Sequence, residues 1–211
     1  MGNAISLSIA AFFTCAAMAS AAPITYDVTV DTSSVSGTAG SFDFQFNPGP
    51  LVTQPASLQI LSFSSNGVLV GSAVPTGDVT GVLPAPLTFD NGTAFNDYFE
   101  GFTYGSTLSF QVSLYGPALT SPDGTATSGS TFAFSMFSDA AGTMPVLTTN
   151  TTEGFAFTVD VNLDGTTTVT NFSTQTSVVP ATASIPEPGT LPLMAVGLWL
   201  WYTFGFRPRR R

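Results

Sequence analysis

Apolar and polar residues alternate from residue 24 onward, with Ile24, Tyr26, Val28 and Val30 separated by Thr25, Asp27, Thr29 and Asp31. A period of two turns one set toward a core and the other toward water, which predicts a half-buried β-strand. The same alternation recurs at Phe42, Phe44 and Phe46, at Leu108, Phe110, Val112 and Leu114, at Phe132, Phe134 and Met136, and at Phe155, Phe157, Val159 and Val161. Shorter apolar stretches predict further strands near Leu58–Ser64, Gly67–Gly71, Asp78–Leu83 and Thr166–Phe172. Gly, Pro, Asn and Ser punctuate the intervals between them. The expected fold is therefore all-β, an antiparallel β-sandwich of about nine or ten strands with jelly-roll-like topology over residues 22–172.

Two segments break the alternation. Phe95, Tyr98, Phe99 and Phe102 recur at helical spacing, with Asn96, Asp97 and Glu100 on the other side, and predict a short helix packed on the core. The functional counterpart of that reading is an aromatic platform for sugar rings. Residues 173–184, STQTSVVPATAS, lack periodicity and read as a Ser/Thr/Pro-rich linker.

The two ends follow other rules. The stretch from Ala4 to Met18 is apolar and gives way to Ala19, Ser20 and Ala21, the small-x-small pattern read by signal peptidase, so residues 1–21 are expected to form a signal helix cleaved after Ala21. At the other end, residues 191–206 (LPLMAVGLWLWYTFGF) carry no charge. As a helix rising ~1.5 Å per residue they would extend about 24 Å, close to the hydrocarbon thickness of a bilayer, and predict a single transmembrane helix over about residues 190–206. Arg207, Arg209, Arg210 and Arg211 follow directly, and the positive-inside rule would leave them in the cytoplasm with the rest of the chain outside.

Immediately before the apolar run stand Pro186, Glu187 and Pro188, where two fixed proline φ angles hold the chain extended around Glu187. A Pro-Glu-Pro turn, one apolar helix and a terminal arginine cluster, in that order over residues 185–211, resemble the PEP-CTERM sorting tag. The resemblance implies recognition of Pro186, Glu187 and Pro188 by exosortase, a membrane-embedded cysteine transpeptidase of exopolysaccharide-producing Gram-negative bacteria. It also implies transfer of the protein toward the cell surface or the extracellular matrix. The preceding domain, with TYDVTVDTSSVSGTAGSFDFQFNP near its start and FNDYFEGFTYGSTLSF in its middle, resembles a recurring group of PEP-CTERM passengers to which no function is assigned.

Charge narrows the chemistry of the domain. The chain has no Lys or His, its four arginines all lie at its end, and twelve of its thirteen carboxylates, all but Glu187, lie between Ala22 and Ile185. So acidic a surface repels phosphate backbones, which excludes nucleic acid as a partner. No carboxylate there can meet a basic side chain of its own domain, so each must be solvated, hydrogen-bonded or neutralised by a cation. Asp160, Asn162, Asp164 and Gly165 match the first half of an EF-hand calcium loop, but position twelve is Asn171 instead of Glu. A weak calcium site and a plain Asp-Gly hairpin turn both remain open, the strand patterns on either side favouring the turn.

Catalysis has few tools in such a domain. The only cysteine, Cys15, lies in the segment to be removed, and without His or Lys only paired carboxylates such as Asp97 and Glu100 could act, in the manner of a glycosidase. No catalytic residue is assigned. The expected function is that of a non-enzymatic envelope or biofilm-matrix protein, with an exopolysaccharide-binding module as the alternative. The two differ in one observable, since a sugar-binding face needs exposed, clustered aromatics and a structural element buries them.

Overall fold

A computed structural model of the chain describes residues 22–182. They form twelve β-strands in two antiparallel sheets. The strands are β1 (Ile24–Asp31), β2 (Ala39–Pro48), β3 (Ser57–Ser65), β4 (Val68–Thr76), β5 (Val79–Thr80) and β6 (Leu87–Asp90). They continue with β7 (Asp97–Thr103), β8 (Thr107–Tyr115), β9 (Ser130–Phe137), β10 (Phe155–Val161), β11 (Thr167–Asn171) and β12 (Thr176–Pro180). A one-turn helix, α1 (Pro117–Thr120), follows β8. One sheet runs β12-β1-β8-β3-β6-β5 and the other β11-β10-β9-β2-β7-β4.

The pairing is nested. β1 pairs with β8 (Ile24 opposite Leu114), β2 with β7 (Phe44 opposite Tyr98), and β3 with β6 (Leu58 opposite Phe89). The first half of the domain is thus a ribbon folded back on itself at the turn between β4 and β5. Successive pairs of that ribbon alternate between the two sheets, which is the jelly-roll winding. β9, β10 and β11 then widen the second sheet beyond β2.

Period-two alternation explains why these residues meet. Phe42, Phe44 and Phe46 of β2, Phe132 and Phe134 of β9 and Phe157 of β10 all turn inward and are fully buried. Phe110 comes down on them from β8 in the opposite sheet. Its ring centroid lies 5.0 Å from that of Phe44, edge to face, and 5.1 Å from that of Phe134, while Phe44 and Phe134 stack at 5.1 Å. Offset and edge-to-face rings at such spacings add about 0.5–1.5 kcal/mol per pair to the transfer free energy of the buried rings.

Two expectations are corrected. The helix over Phe95 to Phe102 is instead strand β7, whose residues alternate, with Tyr98, Glu100 and Phe102 buried and Asp97, Phe99 and Gly101 turned outward. Tyr98 and Phe102 fit either period, and the sequence favoured the wrong one because a carboxylate, Glu100, occupies the inward position between them. Its burial is tolerated because the Tyr98 hydroxyl donates to Glu100 Oε2 at 2.8 Å. The expected linker also contains strand β12. It adds to β1 at the edge of the first sheet, buries Thr176 and packs Val178 on the core. Its five residues are too few to display alternation. The expected signal helix (1–21) and the tag with its transmembrane helix (185–211) lie outside the described residues.

The Phe44, Phe110 and Phe134 contact joins the two sheets, so Phe44→Ala should lower unfolding free energy by about 3–5 kcal/mol in a urea titration. Phe95→Ala, at a side chain 49% exposed, should change it by less than about 0.5 kcal/mol.

Candidate functional site

The outward positions of β2 are Ser41, Asp43, Gln45 and Asn47, in alternation with its buried phenylalanines. Gln45 sits opposite Asp97 of β7 and Asp43 opposite Phe99, so the Asp43 and Asp97 carboxylates are diagonal neighbours on the same sheet face. On an open face both would be solvated. Here the segment between β9 and β10, residues 138–154, folds back over Asp43.

Several contacts hold that segment down. The Ser41 hydroxyl donates to the Asp139 carbonyl at 2.8 Å, and the Val146 N–H donates to the Met136 carbonyl at 2.9 Å. Asp139 organises the turn by accepting from the Thr143 N–H (2.9 Å), the Met144 N–H (3.0 Å) and the Thr143 hydroxyl (2.7 Å). Gly142 then passes against the Phe99 ring in the left-handed region (φ 68°), where a Cβ would lie 2.7 Å from Phe99 Cε2, so only glycine fits. Between the segment and the sheet remains a cleft of ≈ 350 Å³, whose walls include Asp43, Gln45, Phe99, Phe137, Thr143 and Glu153.

Asp43 is 6% exposed. Its Oδ2 accepts from Gln45 Nε2, but its Oδ1 and the Oδ1 of Asp97 are both buried with no donor among the described residues other than a proton held between the two carboxyls. Burial first, and then the hydrogen bond and the charge of Asp97, push the Asp43 carboxyl up to about 9, with Gln45 acting in the opposite direction. Asp43 is therefore held protonated at neutral pH, because two ionised carboxylates would be costly in a desolvated site. Sequence reasoning missed Asp43. Its outward position in FDFQF reads as solvent-exposed, and the cover comes from a loop about 100 residues further along the chain.

The residues singled out from sequence fall elsewhere. Asp97 and Glu100 lie on opposite faces of β7 and do not confront each other across a cleft. Glu100 is raised by burial, partly offset by the Tyr98 hydroxyl. Asp160, Asn162 and Asp164 belong to the β10–β11 hairpin. The Asn162 N–H donates to the Thr166 carbonyl, and Gly165 turns at φ 82°. Asp160 Oδ1 accepts from the Thr131 hydroxyl at 2.6 Å, and Asp164 Oδ1 accepts from the Thr166 N–H and hydroxyl. Asn162 Nδ2 donates to the hydroxyls of Thr166 and Thr168. No group of three or more His, Cys, Asp or Glu that could hold a metal occurs among the described residues. Phe95 is exposed, Phe99 is half-buried, and Tyr98 and Phe102 are fully buried, so these four rings form no platform.

Ala19 and Ala21, Pro186, Glu187 and Pro188, and Arg207, Arg209, Arg210 and Arg211 lie outside the described residues. No helix among the described residues is long and apolar enough to cross a membrane. Residues 184–211 match the PEP-CTERM protein-sorting motif. The match covers 28 of the chain's 211 residues and supports an exported protein sorted by exosortase. No curated protein and no solved structure matches the chain.

The carboxylate pair predicts an unusual pH dependence. Because Asp43 binds its proton more tightly folded (about 9) than at its ordinary value of 3.8, its contribution to stability is complete below about 4 and is lost as pH rises toward 9. In buffer free of divalent cations, the urea midpoint should therefore fall between pH 5 and pH 9. Asp43→Asn, whose amide can donate to Asp97, should flatten that slope and raise stability at pH 8 by on the order of 1–3 kcal/mol. An unchanged slope in the variant would show that the two carboxylates are not coupled.

Proposed function

We propose that this chain is a non-enzymatic envelope or matrix protein whose sandwich serves as a structural or adhesive element once the C-terminal tag has delivered it to the surface. The observation that carries this reading is the placement of the aromatics. Among the described residues Phe95 is the one exposed aromatic side chain, while the rest are buried or half-buried. A sugar-binding face holds rings against several exposed side chains, and the described surface offers no such cluster. The same residues contain no His, Lys or Cys, which removes the common general bases and nucleophiles from the domain.

Delivery follows the order read in the sequence. Signal peptidase cuts after Ala21, and the apolar run of residues 190–206 halts in the bilayer with its arginines inside. Exosortase then acts near Pro186, Glu187 and Pro188. The motif at residues 184–211 supports the exosortase step.

Mass spectrometry of protein released from the native host tests delivery. The mature C-terminus should lack Arg211, and changing Pro186, Glu187 and Pro188 to Ala should leave full-length protein in the membrane. Neutralising Arg207, Arg209, Arg210 and Arg211 should loosen membrane retention, at ~1 kcal/mol per basic residue near an anionic leaflet. Released protein that still ends at Arg211 would overturn the processing step. Strong retention of the released protein on host exopolysaccharide, abolished by Phe95→Ala, would replace the structural reading with sugar binding.

A further inference from the structure

We propose that Asp43 and Asp97 bind one hard divalent cation of the calcium class on the outer face of the second sheet, with water from the cleft completing its shell. Three observations lead there. The Oδ1 atoms of both carboxylates are buried with no donor other than a proton held between them, and Asp43 is more than nine-tenths buried where it lines the cleft. No basic side chain between Ala22 and Thr182 exists to neutralise them. The cleft carries a further carboxylate, Glu153, along its wall, so its field draws cations in and repels anions.

The donor set selects the ion. Residues 22–182 contain no His or Cys, so the nitrogen and thiolate ligands that suit zinc and copper are missing, and hard oxygens remain. Gln45 Nε2 faces Asp43 Oδ2. Gln45 Oε1 accepts from Asn47 Nδ2 at 3.3 Å, and Asn47 Oδ1 accepts from the Asn96 N–H at 2.7 Å, so the amide keeps its Nε2 toward Asp43 and the two carboxylates are the protein's oxygen ligands. Two carboxylates and water form an irregular, adaptable shell, which calcium accepts and magnesium, demanding a near-ideal octahedron, does not. With only two charged ligands the affinity belongs in the range of extracellular calcium modules, about 10⁻⁴–10⁻³ M.

The test is thermal unfolding of the full chain in mild detergent, followed by far-UV circular dichroism, in chelator and in rising calcium. At pH 8 the melting temperature should climb saturably by about 3–5 °C at ten times the half-point. Asp43→Asn should lose the shift, and Asp97→Asn should do the same, which keeps the test valid if the first variant does not fold. The double variant Asp160→Asn, Asp164→Asn should keep it. Magnesium should give a smaller rise at equal concentration. Absence of any calcium shift in the parent chain would mean that the pair holds a proton only, and would overturn the proposal. Full responses in both Asp43→Asn and Asp97→Asn, or loss of response in the Asp160, Asp164 variant, would place the ion elsewhere.

Discussion

From Ala22 to Thr182 there is no positively charged side chain, and every carboxylate in the sandwich has to be accommodated without an ion pair. The protein meets this constraint mainly with short polar side chains and backbone amides. Asp31 at the end of β1, and Asp123, Asp139 and Asp164 in loops and turns, accept from the N–H groups of Ser33, Thr125, Thr143 and Thr166, two to four residues ahead. Those hydrogen bonds hold each of the four carboxyls below its ordinary range, chiefly through the neighbouring Ser or Thr. Asp27, Asp90 and Asp160 lie on strands and take donors from Gln111, Ser57 and Thr131. The abundance of Ser and Thr in the chain thus has a structural use, since they are the donors that basic residues would otherwise be.

With ion pairs absent, cohesion falls to the apolar interior. The folded ribbon brings β2 and β8 to facing positions in the two sheets, so Phe44 and Phe110 meet although they are far apart in sequence. Phe134 and Phe157 arrive later in the chain and close the cluster. Rings are effective here because each buries a large area with few side-chain rotamers to fix. Burying them for cohesion also removes them from the surface, which couples the way this domain is held together to the kind of partner it can engage.

How far the sequence revealed this depends on whether one periodicity stood unopposed. β1, β2, β8, β9 and β10 were legible because their alternation runs over enough residues that no other period fits. β7 was misread because Tyr98 and Phe102, four residues apart, satisfy both periods and Glu100 hides the inward face. β6 and β12, at four and five residues, are too short to carry a pattern. The Asp43 and Asp97 pair was out of reach for a different reason. Its local sequence is that of an ordinary strand, and its chemistry arises only when residues 138–154 cover the sheet. The hairpin at Asp160 to Gly165 shows the converse, a motif conspicuous in the sequence whose acidic side chains are taken up by threonine donors.

These two populations of carboxylate respond to pH in opposite directions, and that opposition separates their roles. Asp31, Asp123, Asp139 and Asp164 stabilise the fold when ionised, so their contribution is present above about 4 and is lost as pH falls through their depressed values. Asp43 stabilises the fold when neutral, and its contribution fades as pH rises toward about 9. Near neutral pH the turns are fully satisfied while the covered pair is not, so any remaining electrostatic strain is concentrated at one place on the second sheet. Such a pair is a liability unless something neutralises it, since substituting one carboxylate by an amide of nearly the same shape would remove it. An ion bound there would turn the cost into a contribution to stability without altering the turns, the core or the strand register.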